Sequence, residues 1–377
     1  MTPAPEPLVV VCAGGGGVGK TTTSAALALA LARAGRSTLI VTIDPARRLA
    51  GAMGVPITDE VTRVSLDGAG DRLSALMPDP RRSLGTFVDG LFEDEPAARA
   101  RLLGNRLYRG LSDAAAGVHE LVAMNLVARA SSRGAFEVVV IDTAPSRHAI
   151  DFVTYPSRLA ALLGGRTVAW LAGLAERAAH AGTAEGASAP RGLFAWGTGH
   201  VERVVARVTG PNLVPDTASL FAELALVRER FVALTRRASE LLLGPRSSYA
   251  LVAAPTAAAR DDVVYLAGRL HKLGRAPRVV VMNRSESRPA PWARALRGGR
   301  GVTAPMAEAL ELLEEERASR SSAADALTAD LGARLPDAPI VRLPFVEAIA
   351  PDRIVAALAD ELATHLDALL AAPARRG

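Results

Sequence analysis

A glycine-rich segment near the amino terminus contains the residues with the clearest chemical meaning. Residues 14–21, GGGGVGKT, match the pattern G-x-x-x-x-G-K-[ST] between an apolar run and a stretch rich in Ala and Leu. In this pattern glycines let backbone N–H groups approach phosphate oxygens, the lysine reaches the β- and γ-phosphates, and the hydroxyl holds Mg²⁺. A glycine-rich turn without a ligand would not require Lys20 and Thr21 at the start of a helix. We therefore predict a nucleoside triphosphate site formed by Gly14, Gly15, Gly16, Gly17, Val18, Gly19, Lys20, Thr21 and Thr22.

Two aspartates follow predicted strands and could complete this site. Asp44 comes directly after the predicted strand 38–43 and before Pro45, and Asp142 comes after the predicted strand 137–141, which ends in the apolar run 138–141. Because ligands bind at the carboxyl ends of parallel strands, both carboxylates are expected near the phosphates. An aspartate after four apolar residues is typical of a carboxylate that fixes Mg²⁺ through a water, so we assign this role to Asp142. Asp44 is expected beside the γ-phosphate, although it could instead serve only as a helix N-cap.

Six short apolar segments predict the strands that position these residues. Continuous runs of Val, Ile and Leu are typical of strands that are buried on both faces of a parallel sheet. The predicted strands are Leu8–Cys12, Thr38–Ile43, Glu137–Ile141, Tyr249–Ala254, Arg278–Met282 and Pro339–Leu343. A helix over Thr22–Arg36 follows the first strand, and between residues 56 and 133 only Val61–Leu66 is a further strand candidate. This order predicts an α/β fold with a doubly wound, mainly parallel sheet.

Two regions lack strand signals and are predicted to be helical. The first covers about residues 80–133, and the second contains the helical blocks Leu159–Ala181 and Ala218–Leu243 around the Gly-rich link Gly182–Gly192. The predicted domains are the first part of the α/β domain (1–158), an inserted helical subdomain (159–244) and the second part of the α/β domain (245–377). One apolar stripe could be either core or a binding groove, and it comprises Leu220, Leu224, Val227, Phe231 and Leu234.

The C-terminal third predicts four further helices. Asp261–Leu273 completes a βα unit, and the charged segments Met306–Ala318 and Ala323–Arg334 predict two solvent-facing helices. The last helix, Asp352–Ala371, has an apolar stripe opposite an acidic face. Because helices that bind membrane surfaces are basic on their polar face, we expect this one to pack on the sheet.

Composition excludes several classes of protein and of site. The net charge is +5, but the arginines are interleaved with Asp and Glu, so a nucleic-acid-binding face is not expected. The single cysteine, Cys12, excludes a disulfide framework and a Cys-x-x-Cys metal site. The first residues lack the pattern of a signal peptide, and no apolar run approaches the roughly 20 residues of a membrane span. We therefore expect a cytoplasmic location.

Four motifs together resemble those of the ArsA-like P-loop ATPases, a family that includes arsenite ATPases and ATPases that target tail-anchored membrane proteins. These motifs are GGGGVGKTTTS, IDPARRL, VVVIDTAPSRH and VVVMN. The resemblance implies a P-loop NTPase fold that binds ATP and Mg²⁺ and hydrolyses ATP. It implies that Asp44 orients the attacking water and that Asp142, linked to Mg²⁺, opens the second switch. Asn283 and Pro344 are the implied contacts of the adenine base.

The resemblance also implies a dimer, in which a signature lysine reaches the phosphates bound by the partner subunit. The corresponding position, five residues before Lys20, is Gly15 in this chain. The lysine could be supplied by a different ArsA-like subunit in a heterodimer, or Arg147 in the second switch could replace it. On the second hypothesis, Arg147→Ala slows hydrolysis and Gly15→Lys partly rescues it. Arg147 could instead point to solvent or pair with Asp151, and His148 is expected to sense the γ-phosphate or to be structural.

The sequence does not identify a protein client. The cysteines of the family's arsenite and zinc sites are absent, and no methionine between Met124 and Met282 could form a Met-rich groove. The main hypothesis is an ATPase in which nucleotide state moves the helical subdomain, which binds a client or partner. The alternative is a weakly hydrolysing, ATP-binding regulatory subunit of a heterodimer. A ParA/MinD-like positioning ATPase is disfavoured by the large helical insertions and by the acidic last helix.

Overall fold

The protein consists of two compact units, one that contains the sheet and one that is helical. The computed structural model describes residues 6–44, 48–114, 134–144, 150, 213–286, 303–346 and 350–370. The sheet unit comprises residues 1–78, 130–150 and 242–377. The helical unit comprises residues 79–129 and 151–241, so the two regions without strong strand signals fall mostly in one unit.

The described strands form one sheet in the sheet unit. They are β1 (Leu8–Gly14), β2 (Thr38–Thr42), β3 (Thr62–Arg63), β4 (Leu73–Leu76), β5 (Val138–Asp142), β6 (Ser247–Ala253), β7 (Val279–Ser285) and β8 (Ile340–Pro344). Their spatial order is β3-β4-β2-β5-β1-β6-β7-β8. Only the pairing of β3 with β4 is antiparallel among the described pairs. The mainly parallel sheet confirms the predicted α/β fold.

The central strands owe their position to continuous apolar sequence. Every residue of β2, β5 and β6 is buried, and the Val, Ile and Leu side chains of these strands suit burial on both faces. β5 pairs in parallel with both β1 and β2, which places Asp142 opposite Cys12 on one side and Thr42 on the other. The strand ends that carry the predicted site therefore meet at one edge of the sheet.

The described helices surround these strands in chain order. They are α1 (Lys20–Arg33), α2 (Arg48–Met53), α3 (Pro80–Leu91), α4 (Pro96–Gly104), α5 (Arg106–Ala114), α6 (Leu213–Leu226), α7 (Arg228–Leu243), α8 (Ala257–Lys272), α9 (Ala304–Arg334), α10 (Pro351–Ala363) and α11 (Leu366–Leu370). A single 3₁₀ turn, Gly70–Arg72, precedes β4. Within the described ranges, every helix is too short or too polar to span a lipid bilayer.

Helix α10 packs beside α1 in the sheet unit. The apolar residues Val355, Leu358 and Leu362 are buried. On the polar side, Arg33 of α1 forms an ion pair with Asp360 at 2.7 Å. The apolar stripe predicted for the last helix is therefore covered by the protein itself.

The helical unit has its own apolar core. Phe87 of α3 and Phe231 of α7 form an edge-to-face pair with ring centroids 6.1 Å apart. Three members of the stripe that could have been a groove are buried, and the other two are half-buried. The buried members are Leu220, Val227 and Phe231. In this structure the stripe is therefore part of the core.

The structure corrects the prediction that Val61–Leu66 is the only strand candidate between residues 56 and 133. That candidate forms the short strand β3, and β4 (Leu73–Leu76) is an additional strand. The sequence of β4, LSAL, lacks β-branched residues, so its own propensity does not favour a strand. Parallel pairing with β2 imposes the extended conformation.

Two predictions of helix boundaries are also wrong. Met306–Ala318 and Ala323–Arg334 belong to the single helix α9, because the intervening residues 319–322, SRSS, include neither Gly nor Pro. The predicted helix Asp352–Ala371 is interrupted between α10 and α11. There the Thr364 hydroxyl donates a hydrogen bond to the Glu361 carbonyl at 2.8 Å, a local bond that competes with the helix ladder.

Candidate nucleotide-binding site

The glycine-rich loop makes a sharp turn between β1 and α1. Gly17 and Gly19 have φ values of 73° and 87°, in the left-handed region that glycine adopts without steric cost. Gly19 is the N-cap of α1, and the first N–H groups of a helix have no acceptor within it. Because the helix dipole adds positive potential at this end, the loop and the start of α1 favour a bound phosphate.

Both ends of the loop pack closely against other strands of the sheet. A Cβ atom on Gly14 would lie 2.3 Å from the carbonyl oxygen of Val252 in β6. A Cβ atom on Gly19 would lie 2.2 Å from Nδ2 of Asn283 in β7. A Cβ at residues 16–17 would meet nothing within 4 Å. The loop is thus fixed at its ends while its middle faces open space.

Lys20 is buried at the start of α1, and its ammonium group bonds a backbone carbonyl of the loop. Nζ donates a hydrogen bond to the Gly15 carbonyl at 2.6 Å, and the residue is only 5% exposed. Burial lowers the pKa of Lys20, and the negative charges of Asp142, Asp44 and Asp262 oppose this decrease. Its Nζ atom therefore lies at the loop, where a phosphate oxygen could replace the Gly15 carbonyl as acceptor.

Asp142 is fully buried at the end of β5. Thr42 Oγ1 donates to Asp142 Oδ2 at 3.0 Å, and Ser24 Oγ donates to Oδ1 at 3.3 Å. Burial raises the pKa of Asp142 from 3.8 to about 6. The hydrogen bonds from Thr21 and Thr42 and the charge of Lys20 oppose the increase, because they favour the ionised carboxylate.

Asp44 lies close to this cluster and is 6% exposed. Its backbone N–H donates to Thr42 Oγ1 at 3.2 Å, and its Oδ2 atom pairs with Arg48 Nη1 at 3.3 Å. The Thr42 hydroxyl therefore joins the backbone of Asp44 to the carboxylate of Asp142. The structure brings Lys20, Asp44 and Asp142 together at one edge of the sheet.

The donor atoms around Asp142 fit a magnesium ion. The Thr21 hydroxyl lies near enough to the Asp142 carboxylate to lower its pKa, so two oxygen donors lie close together. Mg²⁺ prefers oxygen ligands, and it is commonly held by one or two protein groups together with waters and substrate phosphates. Among the described residues, no group of three or more His, Cys, Asp or Glu side chains could hold a metal ion by itself. Phosphates would therefore have to supply much of the coordination.

A cavity of about 600 Å³ lies beside the loop. It is lined by Gly19, Thr22, Ala52, Asn283, Arg284, Pro344, Phe345, Val346, Pro351, Ile354 and Leu358. Apolar side chains form most of this wall, and Asn283 and Arg284 add an amide and a guanidinium. Such a surface suits a flat, largely apolar ring with a few polar edge atoms. The two residues predicted to contact adenine, Asn283 and Pro344, both line it.

The amide of Asn283 has a defined orientation. Its Nδ2 atom donates to the Val18 carbonyl at 2.9 Å, and Asn283 is only 4% exposed. A carbonyl oxygen can only accept, so the amide nitrogen must face Val18 and the amide oxygen must face away from it. Asn283 therefore ties β7 to the loop and leaves an acceptor atom for another donor.

Some candidate site residues are missed by sequence reasoning, and others lie outside the described residues. Arg147 and His148 lie outside them, so their roles stay predictions. Thr42 was missed because its position opposite Asp142 depends on strand register, which sequence patterns do not specify. Arg284 was missed because the predicted strand ends at Met282, whereas β7 continues through Arg284 to Ser285.

Comparison with known proteins finds a family match within the N-terminal half. Residues 8–188 match the sequence profile of the ArsA ATPase family, described as anion-transporting ATPase. ATPase get3 of Neurospora crassa is 34% identical over 124 residues, which are 33% of this chain and 35% of that protein. ATPase GET3 of Mycosarcoma maydis is 33% identical over 33% of this chain and 34% of its own length. ATPase GET3 of Ajellomyces dermatitidis is 35% identical over 34% of this chain and 37% of its own length. This chain therefore spans about a third of the length of these relatives.

Proposed function

We propose that this chain, whose residues 8–188 match the ArsA ATPase family profile, is an ArsA-like P-loop ATPase that binds ATP with Mg²⁺ and hydrolyses it to ADP and phosphate. One observation carries the proposal: a buried lysine and a buried aspartate meet beside a glycine loop. Lys20 and Asp142 are brought together by the parallel pairing of β5 with β1 and β2. This arrangement combines a phosphate cradle, a positive charge and an oxygen ligand for the metal.

Each of these residues has a defined task in the proposed reaction. Lys20 exchanges the Gly15 carbonyl for oxygens of the β- and γ-phosphates and counters their charge. Asp44, whose carboxylate is held by Arg48, orients the attacking water. Thr21 and Asp142 would hold Mg²⁺, which when bound neutralises charge on the phosphates.

The cavity beside the loop favours adenine over guanine. Asn283 presents its amide oxygen as an acceptor, since its amide nitrogen is bonded to Val18. The exocyclic amine of adenine donates a hydrogen bond, whereas the corresponding group of guanine is an acceptor and would face the amide oxygen unfavourably. We therefore expect ATP to be preferred to GTP.

Steady-state hydrolysis and nucleotide binding by four variants test this proposal. Lys20→Ala should weaken ATP binding, and Asp142→Asn and Asp44→Asn should lower turnover by about 100-fold through lost electrostatic positioning. Asp44→Asn should retain most ATP affinity. Asp71→Asn is the control, because the Asp71 side chain is 86% exposed in the sheet unit. Unchanged turnover in the first three variants would contradict the proposal.

We further propose that nucleotide state moves the helical unit, which would bind a protein client or partner. The chain enters this unit at residue 151, shortly after β5 ends at Asp142, so the segment that leaves the site leads into it. Hydrogen exchange of α6 and α7 should differ between ADP and a non-hydrolysable ATP analogue. Equal protection in both states would remove this coupling. A homodimeric or heterodimeric assembly and a cytoplasmic location belong to the same proposal.

A second candidate function is that of a weakly hydrolysing, ATP-binding subunit of a heterodimer. It is favoured by Gly15, which cannot supply a cation to a partner's phosphates. This candidate requires tight ATP binding and a hydrolysis rate close to that of ATP free in solution. It also requires that an ArsA-like subunit with the lysine accelerates this hydrolysis. Light scattering and a hydrolysis assay, both with ATP, together distinguish the two candidates. A homodimer of this chain that hydrolyses ATP rapidly would exclude the second candidate.

A further inference from the structure

We infer that Arg284 and Phe345 hold the two faces of the nucleotide base in the cavity beside Asn283 and set its selectivity for purines. The inference rests on the proposed ATP site and assigns residues that no motif identifies. Both side chains line the cavity, one at the end of β7 and the other just after β8.

The backbone at Arg284 is unusual. Among the described residues it is the one non-glycine residue with a positive φ, 54°. The left-handed conformation is disfavoured for side chains with a Cβ, and such strain is most often retained at ligand sites. The register between β7 and β8 also shifts between Met282 and Ser285.

This irregularity changes where two consecutive side chains point. In a regular strand adjacent residues face opposite sides of the sheet. Here Asn283 and Arg284 both line the same cavity. The bulge therefore adds Arg284 to a wall that a regular strand would supply with Asn283 alone.

Phe345 provides an aromatic surface in the same cavity. Its side chain is 43% exposed although it is large and apolar. A planar guanidinium and an aromatic ring both stack on aromatic bases, through cation–π and offset-stacking contacts. A purine has two fused rings and a pyrimidine one, so the purine gains more from a pair of such surfaces.

The strand ends that carry the pair are held at a fixed spacing. Arg342 of β8 donates from Nε to Ser285 Oγ at 2.7 Å and from Nη2 to the Glu286 carbonyl at 3.2 Å. These bonds join the residues that follow Arg284 to the strand that ends before Phe345. The backbone that carries the pair is therefore fixed before any base is bound, which lowers the entropic cost of binding.

Isothermal titration of ATP, CTP and inorganic tripolyphosphate, each with Mg²⁺, tests the inference. Arg284→Gly and Phe345→Ala should each weaken ATP binding by about tenfold, weaken CTP binding less and leave tripolyphosphate binding unchanged. Glycine is chosen at position 284 because it adopts the same φ without strain, so the loss reports the side chain. Arg246→Ala is the control, since Arg246 is an exposed arginine outside the cavity lining.

The outcomes separate this inference from the proposed function. A wild-type protein that binds neither ATP nor tripolyphosphate would overturn the ATP site itself. A wild-type protein that binds ATP, with the same ATP affinity in Arg284→Gly and Phe345→Ala, would overturn the inference alone. Equal losses of ATP, CTP and tripolyphosphate would also overturn it, because the substitutions would then act through the phosphate loop.

Discussion

Gly15 lies directly against Asp262 of α8. A Cβ atom on Gly15 would lie 2.0 Å from Oδ2 of Asp262 and 3.1 Å from its Cγ. The carboxylate of Asp262 is also near enough to Lys20 to raise the pKa of that side chain, against the effect of burial. The space in which a signature lysine would begin is thus occupied by an acidic side chain.

A lysine introduced at position 15 is therefore expected to be captured by Asp262. From sequence alone, Gly15→Lys should restore a missing cation. With the structure in hand, we expect Gly15→Lys to give no faster single-turnover hydrolysis, because its ammonium would pair with the carboxylate. Combining it with Asp262→Ala should accelerate hydrolysis by at least about tenfold if the chain forms a homodimer.

Gly16→Lys is the matched control for this experiment, because it adds the same charge where a Cβ meets nothing within 4 Å. Asp262→Ala alone separates the removal of the acid from the addition of the cation. Equal rates in Gly15→Lys and in the double variant would show that Asp262 does not restrict the introduced lysine.

The buried carboxylate of Asp142 should make stability depend on pH in the metal-free, nucleotide-free protein. Burial raises its pKa from 3.8 to about 6, so between these pH values the folded state keeps a proton that the unfolded state releases. The free energy of unfolding should therefore decrease as pH rises from about 4 to 6, by at most roughly 3 kcal/mol. Asp142→Asn should flatten this decrease in denaturant titrations with EDTA.

The exposed Asp71→Asn substitution serves as the comparison, because other carboxylates also contribute to the pH dependence. The difference between each variant and the wild type isolates one group. If Asp142→Asn and Asp71→Asn change the pH slope equally, Asp142 is not the titrating group.

Thr42 should matter for hydrolysis as well as for stability. Its hydroxyl donates to Asp142 and accepts from the backbone of Asp44. Thr42→Val keeps the shape, leaves two buried polar groups without this partner, and should cost about 1–3 kcal/mol of stability. Turnover should also fall by about tenfold, since both carboxylates lose a positioning bond.

Thr38→Val provides a control on the same strand. Thr38 is fully buried and its hydroxyl donates to the Arg36 carbonyl at 3.0 Å, away from the carboxyl end of β2. The Thr38→Val variant should lower the free energy of unfolding without slowing hydrolysis per folded molecule. Similar turnover in both variants would mean that Thr42 has only a structural role.

The sequence predicted the phosphate loop, the central strands and the two aspartates because each depends on local signals. A glycine loop between an apolar strand and a helix has one well-defined geometry, and β-branched runs such as VVVI form buried strands. Asp142 follows such a run directly, so its place at the strand end could be inferred.

The remaining features depend on pairing between distant segments. β4 is a strand because β2 lies beside it, and its own LSAL sequence does not favour one. The contacts of Thr42 with Asp142 and of Gly15 with Asp262 join residues 100 and 247 positions apart in sequence. The orientation of Arg284 depends on a shift of register, which no single-strand pattern contains.

Substitution of Asn283 should reduce the discrimination between ATP and GTP. Asn283→Ala removes both the amide oxygen that we propose faces the base and the hydrogen bond to Val18. The ratio of ATP to GTP affinity should decrease by about tenfold. Asn105→Ala, in the helical unit, is a control that removes another buried asparagine. An unchanged ratio would exclude Asn283 as the group that reads the base.

Arg342 should act as a brace for the base cavity. Its guanidinium contacts Ser285, Glu286 and the carboxylate of Asp325, and it therefore joins β7, β8 and α9. Arg342→Gln should lower the free energy of unfolding by about 1–2 kcal/mol, because partly buried hydrogen bonds to a charged group are lost. It should also weaken ATP binding while tripolyphosphate binding is unchanged, since the cavity is affected and the loop is not.

Arg334→Gln is the control, because it removes only a surface pair with Asp330 on the same helix, and its cost in stability should stay below about 0.5 kcal/mol. If both variants bind ATP equally well, Arg342 contributes to stability and does not position the residues of the cavity.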